Sequence, residues 1–346
     1  GPLAAGAFRQ VRRSIRTGGL GVRSATEHTE AAYIASVMAC ATKDAYDPCT
    51  AEGFTAAIGS YNNKVLADAR IDATALPRAP LRQKELSAAI EKCALAAETA
   101  TASPASKLRI QAQMAPHAGA WMNVVPNPGT HTAFGNRQWV TLLRWWLGEP
   151  VFDATFLCPA CQKPMDVYGY HALTCKKWGD GITRHHALCD EFAEVCGAAH
   201  LAPKRERGVG NTKKREADVL LPHWDLGRPL YLDFAVTHTL QPTNLNFAGE
   251  RAPGSWATEY ARRVKGPIGR RLAALNTPFD AMVVEVYGAW APEARHIIEK
   301  VRKLAGTRTP VSTRRQRTDQ TYQIEILNRP NRPTTAAKRT KSDDQN

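Results

Sequence analysis

Residues 215–237 read READVLLPHWDLGRPLYLDFAVT. Ala217 to Leu221 and Leu230 to Thr237 are short runs of apolar, β-branched and aromatic residues, the composition of strands. A hairpin over Pro222 to Pro229 would make them neighbours. Each run carries one aspartate, Asp218 and Asp233. A carboxylate inside an apolar strand is costly unless something pairs with it. Two carboxylates brought together do not both stay ionised without a cation, so Mg²⁺ or Mn²⁺ is the expected third party. Such a metal polarises a phosphate and activates water for hydrolysis. The plainer alternative is two strand-end aspartates that cap loops.

Around this hairpin the pattern is that of a mixed α/β domain. A helix is expected over Arg184 to His200, then a basic loop from Lys204 to Arg215. Beyond the two strands come a helix from Ser255 to Leu275, a strand from Met282 to Tyr287 and a helix from Pro292 to Leu304. The chain before Pro150 reads as helical over 27–56 and 86–114, with pauses at Asp47-Pro48 and at Leu76 to Pro80. Ala31, Ile34, Ala35 and Met38 form one apolar stripe. Thr130 to Leu147 is a further amphipathic segment with Trp139, Leu142, Leu143, Trp146 and Leu147 on one face, stopped by Gly148-Glu149-Pro150. Its tryptophans suit core packing better than stacking on bases. From Thr307 the chain is polar and basic and reads as a disordered tail. The expected division is therefore 1–150 helical, 151–180 a metal knuckle, 181–306 the α/β domain and 307–346 the tail.

The chain has 346 residues, 46 Lys+Arg against 32 Asp+Glu, and a formal charge of +14. With 43% hydrophobic and 23% charged residues it is neither wholly disordered nor collagen-like. No run of 18 apolar residues offers a membrane span. The opening, GPLAAGAFRQVRRSIR, lacks Met and an apolar signal core, as expected of a fragment of something longer. The positive surplus concentrates polyanions, and nucleic acid is the usual partner.

Eight cysteines are present. Cys158-Pro-Ala-Cys161 is followed by His171 and Cys175, and the four residues supply a full tetrahedral set for Zn²⁺. With every position taken by protein, this zinc would be structural. Cys189 and Cys196 read as core residues of the following helix.

Hydrolysis also wants a cation to orient water and to offset charge growing on phosphorus. The position two residues after the second acid, where such a Lys usually stands, is Ala235. Lys265 on the following helix is the best substitute, with Arg262 and Arg263 as helpers, phosphate contacts or plain surface charge, and Glu259 equally open. His185 or His186 contacts DNA, hydrogen-bonds a metal-holding group, or caps the helix that carries Glu191 and Glu194. Arg184, His185, Lys213, Lys214, Arg215, Arg262 and Arg263 make up the expected DNA-contacting set. Lys213-Lys214-Arg215 and Arg314-Arg315-Gln-Arg317 suit nuclear import as well as DNA contact. Glu206 is either a third acid near the metal or a solvated loop charge. Glu285 either braces the site or pairs with an Arg of a neighbouring helix.

Taken in order, the strings CPACQKPMDVYGYHALTCKKWGD, TRHHALCDEF, READVLLP, YLDFAVTH and VVEVYGAW resemble one module. It is the C-terminal part of non-LTR retrotransposon reverse transcriptases that carry a restriction-like endonuclease. GGLGVRSATEHTEAAYIASV and APHAGAWMNVVPNP are similar to the region after the polymerase active site, so the resemblance runs from about Gly18 to Leu304. It implies a PD-(D/E)xK nuclease core in 181–306, a mixed sheet flanked by helices. Asp218 and Asp233 would be the two motif acids, Lys265 the displaced Lys, and Cys158, Cys161, His171 and Cys175 the knuckle. The implied activity is nicking of double-stranded target DNA in the nucleus, leaving a 3′-hydroxyl that primes reverse transcription of the element's RNA. The polymerase's paired aspartates are absent, since the one Asp-Asp is Asp343-Asp344 in the polar tail. Two other readings compete: a non-catalytic nucleic-acid-binding module with a degenerate nuclease core, which Ala235 favours, and a plain zinc-stabilised structural protein.

Overall fold

The computed structural model describes residues 3–44, 47–77, 79–124, 126, 133–177, 180–208, 215–225, 227–240, 242–245 and 252–306. The expected tail therefore lies outside the described residues. The N-terminal part is helical: α1 (Ala5–Arg12), α2 (Ala25–Asp44), α3 (Phe54–Asn62), α4 (Gln83–Thr101), α5 (Pro104–Gln113) and α6 (Asn136–Leu147). Helices α2 to α4 enclose a small core in which Ala31, Ile34 and Met38 meet Phe54, Ile58, Tyr61, Leu86 and Ile90, with Ala35 partly buried against it. The stretch 86–114, expected to be helical, forms parts of two helices. Ser103 Oγ accepts from Ser106 N at 3.2 Å and Pro104 opens the next helix, a cap and an N1 proline together.

Helix α6 ends where the sequence stops it. Gly148 takes φ 73°, and the N–H groups of Gly148 and Glu149 reach the carbonyls of Trp145 and Arg144. Its buried stripe is wider than expected, because Trp145 is buried too and stacks on Tyr287 with ring centroids 4.3 Å apart. Trp146 donates from Nε1 to the Gly18 carbonyl at 2.9 Å, and Arg109 donates to the Trp146 carbonyl at 2.8 Å. These bonds satisfy polar groups in a second core, where α1, α5 and α6 meet the knuckle and Val286, Tyr287 and Ala289.

The knuckle is a two-stranded ribbon, β1 (Phe156–Leu157) and β2 (Pro164–Met165), followed by α7 (Tyr170–Thr174). Then come α8 (Asp180–Ala198), β3 (Lys204–Gly208), β4 (Arg215–Asp225), β5 (Arg228–Thr237), α9 (Pro242–Leu245) and α10 (Ser255–Tyr260). A π-helical turn (Ala261–Lys265), α11 (Gly266–Ala274), β6 (Phe279–Glu285) and α12 (Pro292–Leu304) complete the described chain. The sheet order is β3-β4-β5-β6, antiparallel except for the parallel β5–β6 pair. Leu188, Phe192 and Cys196 of α8 pack with Val219, Leu232, Phe234, Val284 and the α12 residues Ile297 and Val301. Cys189 and Cys196 are both fully buried there, as expected of core residues.

Two further features differ from the sequence reading. Lys204 to Gly208 is not loop but an edge strand, with Lys204 opposite Leu220. Its KRERG sequence has no apolar alternation, and charged residues are what an edge strand tolerates. The hairpin is also tighter than Pro222 to Pro229: the ladder extends to an Asp225–Arg228 pair, with Gly227 at φ 80°. Pro222 fits inside β4 because the register shifts between Leu221 and Asp225, freeing a position that makes no ladder bond.

Candidate active site

In the knuckle, the four donor atoms of Cys158, Cys161, His171 and Cys175 lie within 4.8 Å of one another. Cys158 Sγ is 3.8 Å from Cys175 Sγ, and Cys161 Sγ is 3.2 Å from His171 Nε2. The tight turn that faces the first two thiols inward is closed by Cys158 N–H to the Lys163 carbonyl at 2.8 Å and Gln162 N–H to the Cys158 carbonyl at 2.8 Å. The Asp166 carboxylate fixes the second half, accepting from the N–H groups of Tyr168, Tyr170 and His171 at 3.0, 3.1 and 2.8 Å. The cluster can hold a metal ion, and three sulfurs with one imidazole suit zinc. Cys158 and Cys175 belong to the second core, so such a metal would stand inside the packing that joins α6 to the sheet.

Strand register creates the acidic site. Val219 lies opposite Leu232, and one step further along the same antiparallel ladder brings Asp218 opposite Asp233. Asp218 Oδ2 accepts from Phe234 N–H at 2.6 Å and lies 3.0 Å from His185 Nε2. Asp233 Oδ2 accepts from Lys265 Nζ at 2.6 Å. Two strands, the first helix of the domain and the turn after α10 thus deliver four chemically active groups to one place. The π turn adds a residue to the helical register, an irregularity common at functional sites. Lys265 is turned inward there, while Arg262 and Arg263 stay exposed beside Glu259. A cavity of about 360 Å³ lined by Arg262, Lys265, Asp280 and Glu293 opens next to the lysine.

Electrostatics divide the two acids. Burial is the largest influence on Asp218 and by itself would raise its pKa, but the His185 ring, the Phe234 N–H and the neighbouring carboxyl together bring it down to about 2. Asp233 is pushed up to about 6, by burial first and by the adjacent Asp218, with Lys265 opposing. Two close carboxyls in unlike surroundings titrate as a coupled pair, the one with the stronger donors first. His185 is raised above its ordinary value, by its hydrogen bond to Asp218 against the effect of burial. Two adjacent carboxylates are the oxygen donors that Mg²⁺ and Mn²⁺ prefer, and such a cation would offset the charge of the pair.

Other expected contacts fall elsewhere. Arg184 is buried and its Nη2 donates to the Leu173 carbonyl at 3.2 Å, so it ties α8 to the knuckle helix. His185 is turned onto Asp218. Arg262 and Arg263 are exposed and pair with Glu259. Lys213 and Lys214 lie outside the described residues, as do the side chains of Arg215 and Glu206. The sequence reading missed Arg205, which donates to the Asp218 carbonyl at 2.9 Å while pairing with Asp190 at 2.8 Å. Its signal was hidden inside the run of charges taken for a loop.

Among the described residues Glu285 pairs with no Arg. It accepts from the N–H groups of Trp256 and Ala257 at 3.1 and 3.2 Å and from Thr239 Oγ1 at 3.0 Å, capping the helix that leads to Lys265. Burial is the strongest influence and pushes this carboxyl up to about 7, with the three donors opposing. A folded-state pKa above the unfolded one means stability present at low pH and lost as pH rises to the folded value. Glu285 should thus withdraw stability between about pH 4.5 and 7, on the order of 3 kcal/mol at most. Urea unfolding of Glu285→Gln at pH 5 and pH 8 is expected to show a flatter pH dependence than the native chain.

No family model matches this chain, and a search of curated proteins returns no match to it.

Proposed function

We propose that the chain carries a metal-dependent DNA endonuclease of the PD-(D/E)xK kind, the nuclease module of a non-LTR retrotransposon reverse transcriptase. The observation that carries this reading is the meeting of Asp218, Asp233 and Lys265 from adjacent strands and the following helix. The element order of helix, three antiparallel strands, helices and a fourth, parallel strand supports it, as do the preceding Cys/His cluster and the +14 charge. Ala235 would argue for a degenerate core, but Lys265 brings an ammonium to the same acid from another element.

Asp218 and Asp233 would hold Mg²⁺ or Mn²⁺, which when bound polarises the scissile phosphate and makes water a better nucleophile. The protein's own groups do the rest. The Phe234 N–H and His185 fix Asp218, and the Arg205 bond to its carbonyl fixes the strand beneath. Lys265, held by Asp233, places a proton-bearing cation beside the acids, where it steadies the attacking water and offsets charge on phosphorus. Water's oxygen ends on the 5′-phosphate, the bond from phosphorus to the 3′ oxygen breaks, and that oxygen takes up a proton. The substrate is double-stranded target DNA, the 3′-hydroxyl serves as primer for copying the element's RNA, and the place of action is the nucleus.

End chemistry tests the proposal. Nicked duplex made by the purified chain with Mg²⁺ should be extended by an added DNA polymerase without phosphatase treatment. Cleavage that persists in a chelator, or ends that need phosphatase first, would count against it.

A further inference from the structure

We propose that His185, Cys189 and Asp218 form a second site for a zinc-like transition-metal ion, which shares Asp218 with the acid pair. Helix α8 sets His185 and Cys189 one turn apart, on the same side, as in other paired ligands at i and i+4. Strand β4 supplies the third donor. His185 Nε2 lies 3.0 Å from Asp218 Oδ2 and 4.0 Å from Cys189 Sγ, and all three donor atoms fall within 4.8 Å of one another. Donors bound to a tetrahedral zinc at 2.0–2.3 Å stand about 3.3–3.8 Å apart, so small adjustments of the side chains suffice. The knuckle's own spacings, 3.2 and 3.8 Å, span much the same range.

The donor set decides which ion. A thiolate and an imidazole with one carboxylate select zinc or cobalt over magnesium, which prefers oxygen and keeps its water. Three protein ligands leave a fourth position open, in contrast with the closed knuckle. Cys189 is fully buried, which disfavours a bare thiolate, so the cation itself must stabilise the ionised sulfur. Binding releases the Cys189 thiol proton to solvent, together with any proton on His185.

The consequence follows from the shared carboxylate. An ion in this trio takes a lone pair of Asp218 Oδ2 and sets a positive charge beside the acid pair. It therefore competes with the hydrolytic cation, and excess zinc should silence nicking. This consequence, though not the binding, rests on the endonuclease reading.

Cobalt provides the probe. Chain loaded with one zinc per molecule is titrated with Co²⁺ alone and followed by its sulfur-to-cobalt charge-transfer absorption. The expected result is one further equivalent with that band, lost in Cys189→Ala and in His185→Gln, both checked for unchanged zinc content and circular dichroism. A band that survives in Cys189→Ala reports cobalt entering the knuckle and overturns the proposal, as does no band at all. A second arm compares nicking in Mg²⁺ with and without added zinc. The native chain should lose its activity on zinc addition, while Cys189→Ala should show a ratio near one; equal loss in both also overturns the shared-ligand claim. Absence of nicking under all conditions, with the cobalt band present, would remove the endonuclease reading and leave the metal site standing.

Discussion

Replacing Lys265 by Met is expected to slow plasmid nicking by roughly 10²–10³-fold, the usual cost of deleting one preorganised donor from a phosphoryl-transfer or acyl-transfer site. Lys265 is mostly buried and touches Asp233 at 2.6 Å, so its ammonium acts in a setting where water screens it poorly. Breaking a buried pair normally leaves a costly lone charge. Here Asp233, already pushed up to about 6, can take a proton instead, so the folding penalty should be small near neutral pH. Single-turnover rates at saturating Mg²⁺, with plasmid affinity measured in parallel, separate the two contributions. A rate loss without an affinity loss identifies Lys265 as a group that acts in the transition state. Lys265→Arg should not restore the rate, because a planar fork does not place its charge where a compact ammonium does. Arg262→Ala is the control: that side chain is exposed and pairs with Glu259, and its loss should affect affinity more than rate.

Zinc removal should have the second large effect. Structural zinc in small domains is worth roughly 10–16 kcal/mol of apparent binding free energy, all of it coupled to folding. Cys158 and Cys175 share a core with Trp121, Trp145, Trp146 and Tyr287, so opening the knuckle exposes that aromatic cluster. A strong chelator or Cys158→Ser should red-shift tryptophan emission and abolish the near-ultraviolet circular dichroism of the stacked rings. The core around α8 and α12 contains none of the four ligands and should keep much of its far-ultraviolet signal. Native chain is expected to contain one tightly held zinc. A chain that melts identically with and without chelator would remove the knuckle from the account.

The acids and the cysteines were legible because each breaks a local rule. Asp218 and Asp233 interrupt strand-forming runs, and Cys158, Cys161, His171 and Cys175 sit at spacings that otherwise need no such residues. Lys265 was named only as the best substitute on a helix crowded with basic residues, since nothing local marks it: it closes a π turn that its sequence does not announce. The edge strand Lys204–Gly208 was invisible for a related reason. A run of charges carries no apolar alternation to mark a strand, and only pairing with β4 makes it one. Arg184 illustrates the hazard of reading charge as surface. Its guanidinium bonds a carbonyl of the knuckle helix, a tertiary contact that spacing cannot announce. Trp145 was left off the buried face because α6 is packed on more than one side, by α1 and by Tyr287.

The most direct test of the central claim is nicking of supercoiled plasmid by the native chain, Asp218→Asn and Asp233→Asn in Mg²⁺ and in Mn²⁺, with zinc content shown equal in all three. The account predicts conversion to open circles by the native chain and none by either variant, with DNA binding retained throughout. Nicking that survives both substitutions, or DNA binding without nicking by the native chain, would contradict it; the second outcome would make the chain a zinc-stabilised nucleic-acid-binding module.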